Sequence, residues 1–106
     1  MLKIVFFVPE SHKESVKQAV FDQGAGRYEG YDCCSWETVG IGQFKPLQGS
    51  QPFIGQQDSI ETVDEYRVEM ICSEHYIKPV LRALIHAHPY ETPAYEVQPI
   101  QSLDDF

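Results

Sequence analysis

Six of the seven residues from Leu2 to Val8 are apolar, with only Lys3 interrupting the run. A strand that keeps one face in water alternates in polarity, so a strand apolar at nearly every position is covered on both faces. The chain must therefore set its first strand inside a sheet and find cover for each side of it. At 106 residues it has enough surface to bury for one core and not for two, which makes residues 1–100 a single domain followed by a short tail, 101–106.

The remaining elements follow from periodicity and punctuation. Ser11 and Glu14 form an S-x-x-E capping box, and Val16, Ala19 and Val20 supply the apolar stripe of a helix that stops at Gly24, so the first helix is expected from Ser11 to about Gln23. Arg27 to Trp36, rich in aromatic and small polar residues, is expected to be the second strand. From Asp64 to Cys72 the pattern alternates, with Tyr66, Val68, Met70 and Cys72 on one face and Glu65, Arg67 and Glu69 on the other. Ile77, Val80, Leu81, Leu84 and Ile85 then make a second helical stripe, with Ser73 available as a cap. Pro79 would fall on the second turn of a helix capped there, at a cost of about 3 kcal/mol, so the helix is expected to kink or to begin nearer Lys78. A last strand runs from Thr92 to Ile100.

The order is βαββαβ. Two right-handed crossovers place both helices on one face of a four-stranded antiparallel sheet, an α+β, ferredoxin-like arrangement with the first and third strands central. The opposite face, carrying Lys3, Val5 and Phe7, is left without a layer. A chain of this size has no third layer to offer, so a homo-oligomer built on the open sheet face is expected.

Two segments carry the candidate functional residues. Residues 37–61 form a long loop with no stable period, in which Phe44, Leu47, Phe53 and Ile54 are too apolar for a solvated linker. Gly42 and Gly49 are expected to adopt left-handed backbone there. The pair Gly40-x-Gly42 lacks the Gly-Lys-Ser/Thr of a phosphate-binding loop, so the loop is read as packing between subunits or as lining a ligand. The second segment, His86-x-His88-Pro89-Tyr90-Glu91-Thr92-Pro93-Ala94-Tyr95, ends a helix in two prolines and gathers imidazoles, carboxylates and phenols in one turn. Gly40, Gly42, Phe44, Tyr90, Glu91 and Tyr95 are the candidate ligand contacts. His86, His88 and Glu91 are the candidate ligands of a divalent metal ion, the only cofactor the sequence suggests, with turn-shaping and hydrogen bonding as the competing role for the histidines. Glu65 and Glu69 suggest either an acid–base pair or an ion-pair row.

Composition excludes several classes. Sixteen acidic residues against eight basic give a net charge of -8, and no Lys/Arg cluster offers a nucleic acid or an anionic membrane a landing place. No stretch reaches membrane-spanning length and the N-terminal run lacks a cleavage pattern, so a soluble, cytoplasmic protein is expected. Cys33, Cys34 and Cys72 offer no CxxC, and all three are read as reduced. No Ser-His-Asp or Cys-His set is recognisable, so no enzyme is expected.

The blocks Phe7-Val8-Pro9, Gly24-Ala25-Gly26, Cys33-Cys34-Ser35-Trp36, Gly40-x-Gly42-x-Phe44-x-Pro46-Leu47-x-Gly49-x-x-Pro52-Phe53-Ile54-Gly55, Glu65-x-Arg67-x-Glu69 and His86-x-His88-Pro89-Tyr90-Glu91-x-Pro93-Ala94-Tyr95, taken in order, resemble the insert domain of Nif-three-like (YqfO-type) dinuclear-metal proteins. The His88-Pro89-Tyr90-Glu91-x-Pro93 ending is also similar to CutA. The resemblance implies the trimeric ferredoxin-like fold shared with PII signalling proteins, open sheet faces turned inward, and a small ligand or protein partner bound at inter-subunit clefts. It implies no catalysis, because that family places its dinuclear metal site on segments this chain lacks. The alternative it leaves is a CutA-like divalent-metal protein using the His-x-His-Pro-Tyr-Glu segment.

Overall fold

The computed structural model describes all residues from Met1 to Phe106. The elements are β1 (Leu2–Pro9), α1 (Glu10–Asp22), β2 (Trp36–Phe44), β3 (Glu61–Cys72), α2 (Ile77–Ala87) and β4 (Tyr95–Pro99). The antiparallel sheet has the order β2-β3-β1-β4, with β1 and β3 central as the apolar first strand required. Ile4, Phe6 and Val8 of β1 and Val68, Met70 and Cys72 of β3 pack under Val16, Val20 and Phe21 of α1 and Val80 and Leu84 of α2. That single layer of helices on one sheet face is the core, and the alternation read from β3 places each residue on its expected side.

The second strand is a correction. Arg27 to Ser35 is not a strand but a tight excursion closed by a Tyr28–Tyr31 bridge, with Glu29 and Cys33 at positive φ. The strand begins where that region was expected to end, at Trp36, and pairs with β3 over nine positions from Trp36–Glu69 to Phe44–Glu61. Gly40 and Gly42 hid it, because glycine weakens a strand pattern without forbidding the strand. The expected 37–61 loop therefore shortens to residues 45–60, and the molecule measures 48 Å in its longest dimension.

Both helix starts depart from a simple cap. Helix α1 begins one residue earlier than expected, after Pro9, with no side-chain cap bond. Ser11 thus lies inside the first turn, where its hydroxyl meets His12 Nδ1 at 2.8 Å instead of capping. Ser73 does accept from the His75 amide, at 3.3 Å, but it opens a short 3-10 turn, Glu74–Tyr76, and α2 proper begins at Ile77. Pro79 is then in the first turn of α2, where its missing N–H has no partner to lose.

Val5 overturns one premise of the sequence reading. It lies on the face away from the helices, yet it has no exposed surface within a single chain. Its cross-strand neighbours are Glu69 and Glu96, and the same face carries a Lys3–Glu69 ion pair at 3.4 Å and an Arg67–Glu69 pair at 3.6 Å. Long charged side chains lay their stems over apolar neighbours, so Val5 needs no second chain to cover it.

Candidate functional site

The open sheet face ends, at the C-terminal end of β1, in a cavity of about 270 Å³. Its floor is Phe7 of β1 and Glu65 of β3. One wall is Gln43 and Phe44 from the end of β2 with Pro46, Ser50, Pro52, Phe53 and Ile54 of the following loop, and the other is Tyr90, Glu91, Thr92 and Ala94 from the segment after α2. The two segments singled out in the sequence thus meet over one spot.

His88 holds the second wall in place. It is the one buried polar or charged residue of the chain, and its Nε2–H donates to the Phe7 carbonyl at 2.6 Å while Nδ1 accepts the Tyr90 backbone N–H at 3.1 Å. That pattern fixes a neutral imidazole protonated at Nε2. Burial pushes its pKa below the ordinary 6.5, with the charge of His12 acting the same way and the hydrogen bond to Phe7 opposing them. The ring also packs against Tyr90, centroids 4.8 Å apart. Tyr90 is in turn neighboured by Phe53 at 6.3 Å and Phe44 at 6.5 Å, spacings at which aromatic pairs attract.

The polar groups are few and placed. The Tyr90 hydroxyl donates to Glu65 Oε2 at 3.3 Å, and burial together with the Glu65 charge pushes the phenol up to about 12. Glu91 Oε2 accepts the Gln51 amide at 2.9 Å, tying the loop to the opposite wall. Gly42, one strand over, leaves the room that Glu65 occupies: a Cβ there would strike the Glu65 carboxylate. Gly42 does this from extended backbone, and of the two expected left-handed glycines only Gly49 has positive φ, at 91°.

Of the six candidate ligand contacts, Phe44, Tyr90 and Glu91 line the cavity. Gly40, Gly42 and Tyr95 do not. Gly40 lies across from Glu65 in the ladder, outside the lining, and Tyr95 pairs with Phe6, which places it on the helix side of the sheet. One residue of alternation separates Tyr95 from Ala94, which does line the site. The candidate metal ligands are not brought together: no group of three His, Cys, Asp or Glu side chains in the chain is arranged to hold an ion. His86 is exposed on the last turn of α2, His88 has both nitrogens engaged, and Glu91 faces the loop. Glu65 and Glu69 also part company, Glu65 turning to Tyr90 and Glu69 to Lys3 and Arg67. Phe7, Glu65 and Phe53 are among the lining residues that local sequence did not mark as ligand contacts, since only the register of the strands and the path of the loop bring them together.

No family model matches the chain. It is 41% identical over 100 residues to the GTP cyclohydrolase 1 type 2 homolog of Halalkalibacterium halodurans, a match to 94% of this chain and 27% of that protein. Against the homolog of the same name from Bacillus subtilis it is 39% identical over 99 residues, 93% of this chain and 26% of that one. A solved Bacillus cereus protein related to NIF3 superposes with a TM-score of 0.82 at 37% identity, over 95% of this chain and 26% of that one. CutA from Archaeoglobus fulgidus, a periplasmic divalent cation tolerance protein, superposes with a TM-score of 0.70 at 16% identity, over 99% of this chain and 90% of its own, a likeness of fold alone. The fold is therefore the CutA/PII-like form of the ferredoxin-like arrangement. The chain is a NIF3-like domain, and it spans about a quarter of the length of the curated relatives it matches.

Proposed function

We propose that this chain is a non-catalytic, self-associating module that takes a small ligand in the cavity beside Tyr90. The observation that carries this reading is the convergence of the 45–60 loop and the His88–Ala94 segment on one concave, mostly apolar site with a few placed polar groups, the usual anatomy of a small-molecule site. A binding role suits the chemistry better than proton transfer. With its pKa near 12, Tyr90 stays a neutral donor across the physiological range, far from the value an acid or base needs. The relatives' name concerns proteins about four times as long, and nothing of their activity is carried to this segment.

Self-association through the open face forms the other half of the proposal, and a trimer is the state that the resemblance to CutA and PII proteins implies. Its support in this chain is Trp36, which sits on that face opposite Glu69 and is 59% exposed. With Tyr28 and Lys3 it borders a second hollow at the end of the face away from the cavity. Large aromatic side chains are enriched where protein surfaces meet.

The ligand half is tested by titrating isotopically labelled protein with a library of small fragments. Binders should shift the signals of Phe7, Phe44, Tyr90 and Ala94, and an Ala94→Trp variant, which fills the cavity, should lose those shifts while keeping its fold. Binders that map consistently elsewhere, or that survive the filled cavity, would contradict the proposal.

A further inference from the structure

The cavity's charge is one-sided. Its lining holds two carboxylates, Glu65 and Glu91, and not one Lys, Arg or His. Of the cationic and titratable groups nearby, Lys45 stands between the lining residues Phe44 and Pro46 but is exposed and lies outside the lining, and the others are engaged elsewhere. Arg67, which lies over the Phe7 ring at 5.9 Å, pairs with Glu69 at 3.6 Å. Lys13 is bound to Glu37 and sits over Tyr66 on the helix side. His12 meets the edge of Phe53, and His88 is a neutral hydrogen-bonding group behind Tyr90. Each carboxylate spends one oxygen within the protein, Glu65 Oε2 on Tyr90 and Glu91 Oε2 on the Gln51 amide. Their Oε1 atoms have no hydrogen-bond partner in the protein, and neither is buried without one, so both retain acceptor capacity. Around them stand four aromatic rings, Phe7, Phe44, Phe53 and Tyr90.

Aromatic faces and carboxylates are the two protein groups that attract an organic cation, the first through the ring quadrupole and the second through charge-assisted hydrogen bonds. A phosphate or carboxylate ligand would meet repulsion from both glutamates with no cation in the lining to answer it. The acidic end of the chain, with Asp104 and Asp105, is an unfavourable occupant for the same reason. We infer that the ligand class of this cavity is a small organic cation, an ammonium or guanidinium group carried on an apolar or aromatic body. This rests on the ligand-site reading above and adds the sign of the charge.

The experiment compares three probes of one shape, phenethylamine, 2-phenylethanol and phenylacetate, titrated into labelled wild-type protein and into Glu65→Gln and Glu91→Gln variants. The amine should bind at least about tenfold more tightly than the alcohol, and phenylacetate should bind weakest. That preference should shrink several-fold in each variant, and Glu91→Gln, on an exposed segment, keeps the comparison valid if Glu65→Gln unfolds. Equal or tighter binding of the alcohol or the acid at the cavity would overturn the cation assignment while leaving the ligand site standing. Failure of all three to shift any cavity residue would overturn the cation assignment, and the fragment titration would then decide the fate of the site itself.

Discussion

At the residue scale the site depends on a proton that His88 does not carry. Its pKa is held below the ordinary 6.5 by burial, so the unfolded chain binds that proton more readily than the folded one. A group of this kind contributes its full stability above about pH 6.5 and loses it as the pH falls through the lower folded value. Protonation of Nδ1 also removes the acceptor for the Tyr90 amide, so the same acid step should loosen the cavity wall. Thermal melts from pH 7.5 to 5 should show the wild type losing stability, and His88→Gln, about 2 kcal/mol less stable at neutral pH, should lose less over that range. Equal slopes would contradict the assignment. The two loop glycines make a paired prediction. Gly49→Ala, at φ 91° with open space around it, should cost about 1 kcal/mol through the backbone alone. Gly42→Ala instead displaces the Glu65 carboxylate, so ultraviolet titration should find the Tyr90 phenol dropping from about 12 toward the ordinary 10. Sequence placed both residues in the site's neighbourhood and misjudged how Gly42 serves it. A missing side chain reads the same in sequence whether it permits a turn or makes room for a neighbour.

At the scale of elements, β2 is the strand that sequence misplaced and the one whose position most needs explaining. It pairs with β3 alone, so its other edge makes no ladder. What ties its start to the helix layer is Glu37, whose two oxygens meet Lys13 Nζ at 2.6 Å and Lys17 Nζ at 2.8 Å across from α1. The hydrogen bonds from Lys13 and Lys17 hold the Glu37 carboxyl below its usual value, so this tie is intact above the ordinary carboxylate range and fails as the pH falls through the depressed one. Glu37→Gln should speed hydrogen exchange at β2 amides while leaving β1 unchanged, and added salt should bring the wild type toward the variant. A uniform rise over all four strands would contradict a local tie. β1, β3 and the stripe of α2 were legible from the chain alone, because burial on both faces leaves a continuous apolar run and burial on one face writes a period into sequence. The β2 strand writes none: Val39 and Ile41 are 60% and 78% exposed, Gly40 and Gly42 interrupt it, and its partner lies across the 45–60 loop. The cavity was half legible for the same reason. Phe44, Tyr90 and Glu91 stand in segments of unusual composition, whereas Phe7 and Glu65 belong to ordinary strands and become part of a site only through register.

At the scale of the whole molecule, the open sheet face differs from its sequence portrait. Val5, the residue that argued for a second chain, is already buried, so Val5→Glu would put a charge into the sheet and test folding rather than association. A large aromatic residue exposed on that face is Trp36, beside the hollow bordered by Tyr28 and Lys3. An assembly on this face would bury Trp36. No helix of the structure is long and apolar enough to cross a membrane. The most direct test of a self-associating module is sedimentation equilibrium across micromolar concentrations for the wild type and Trp36→Glu. The wild type should sediment at about three times the chain mass and the variant as a smaller, still folded species; a wild-type monomer throughout that range would contradict self-association.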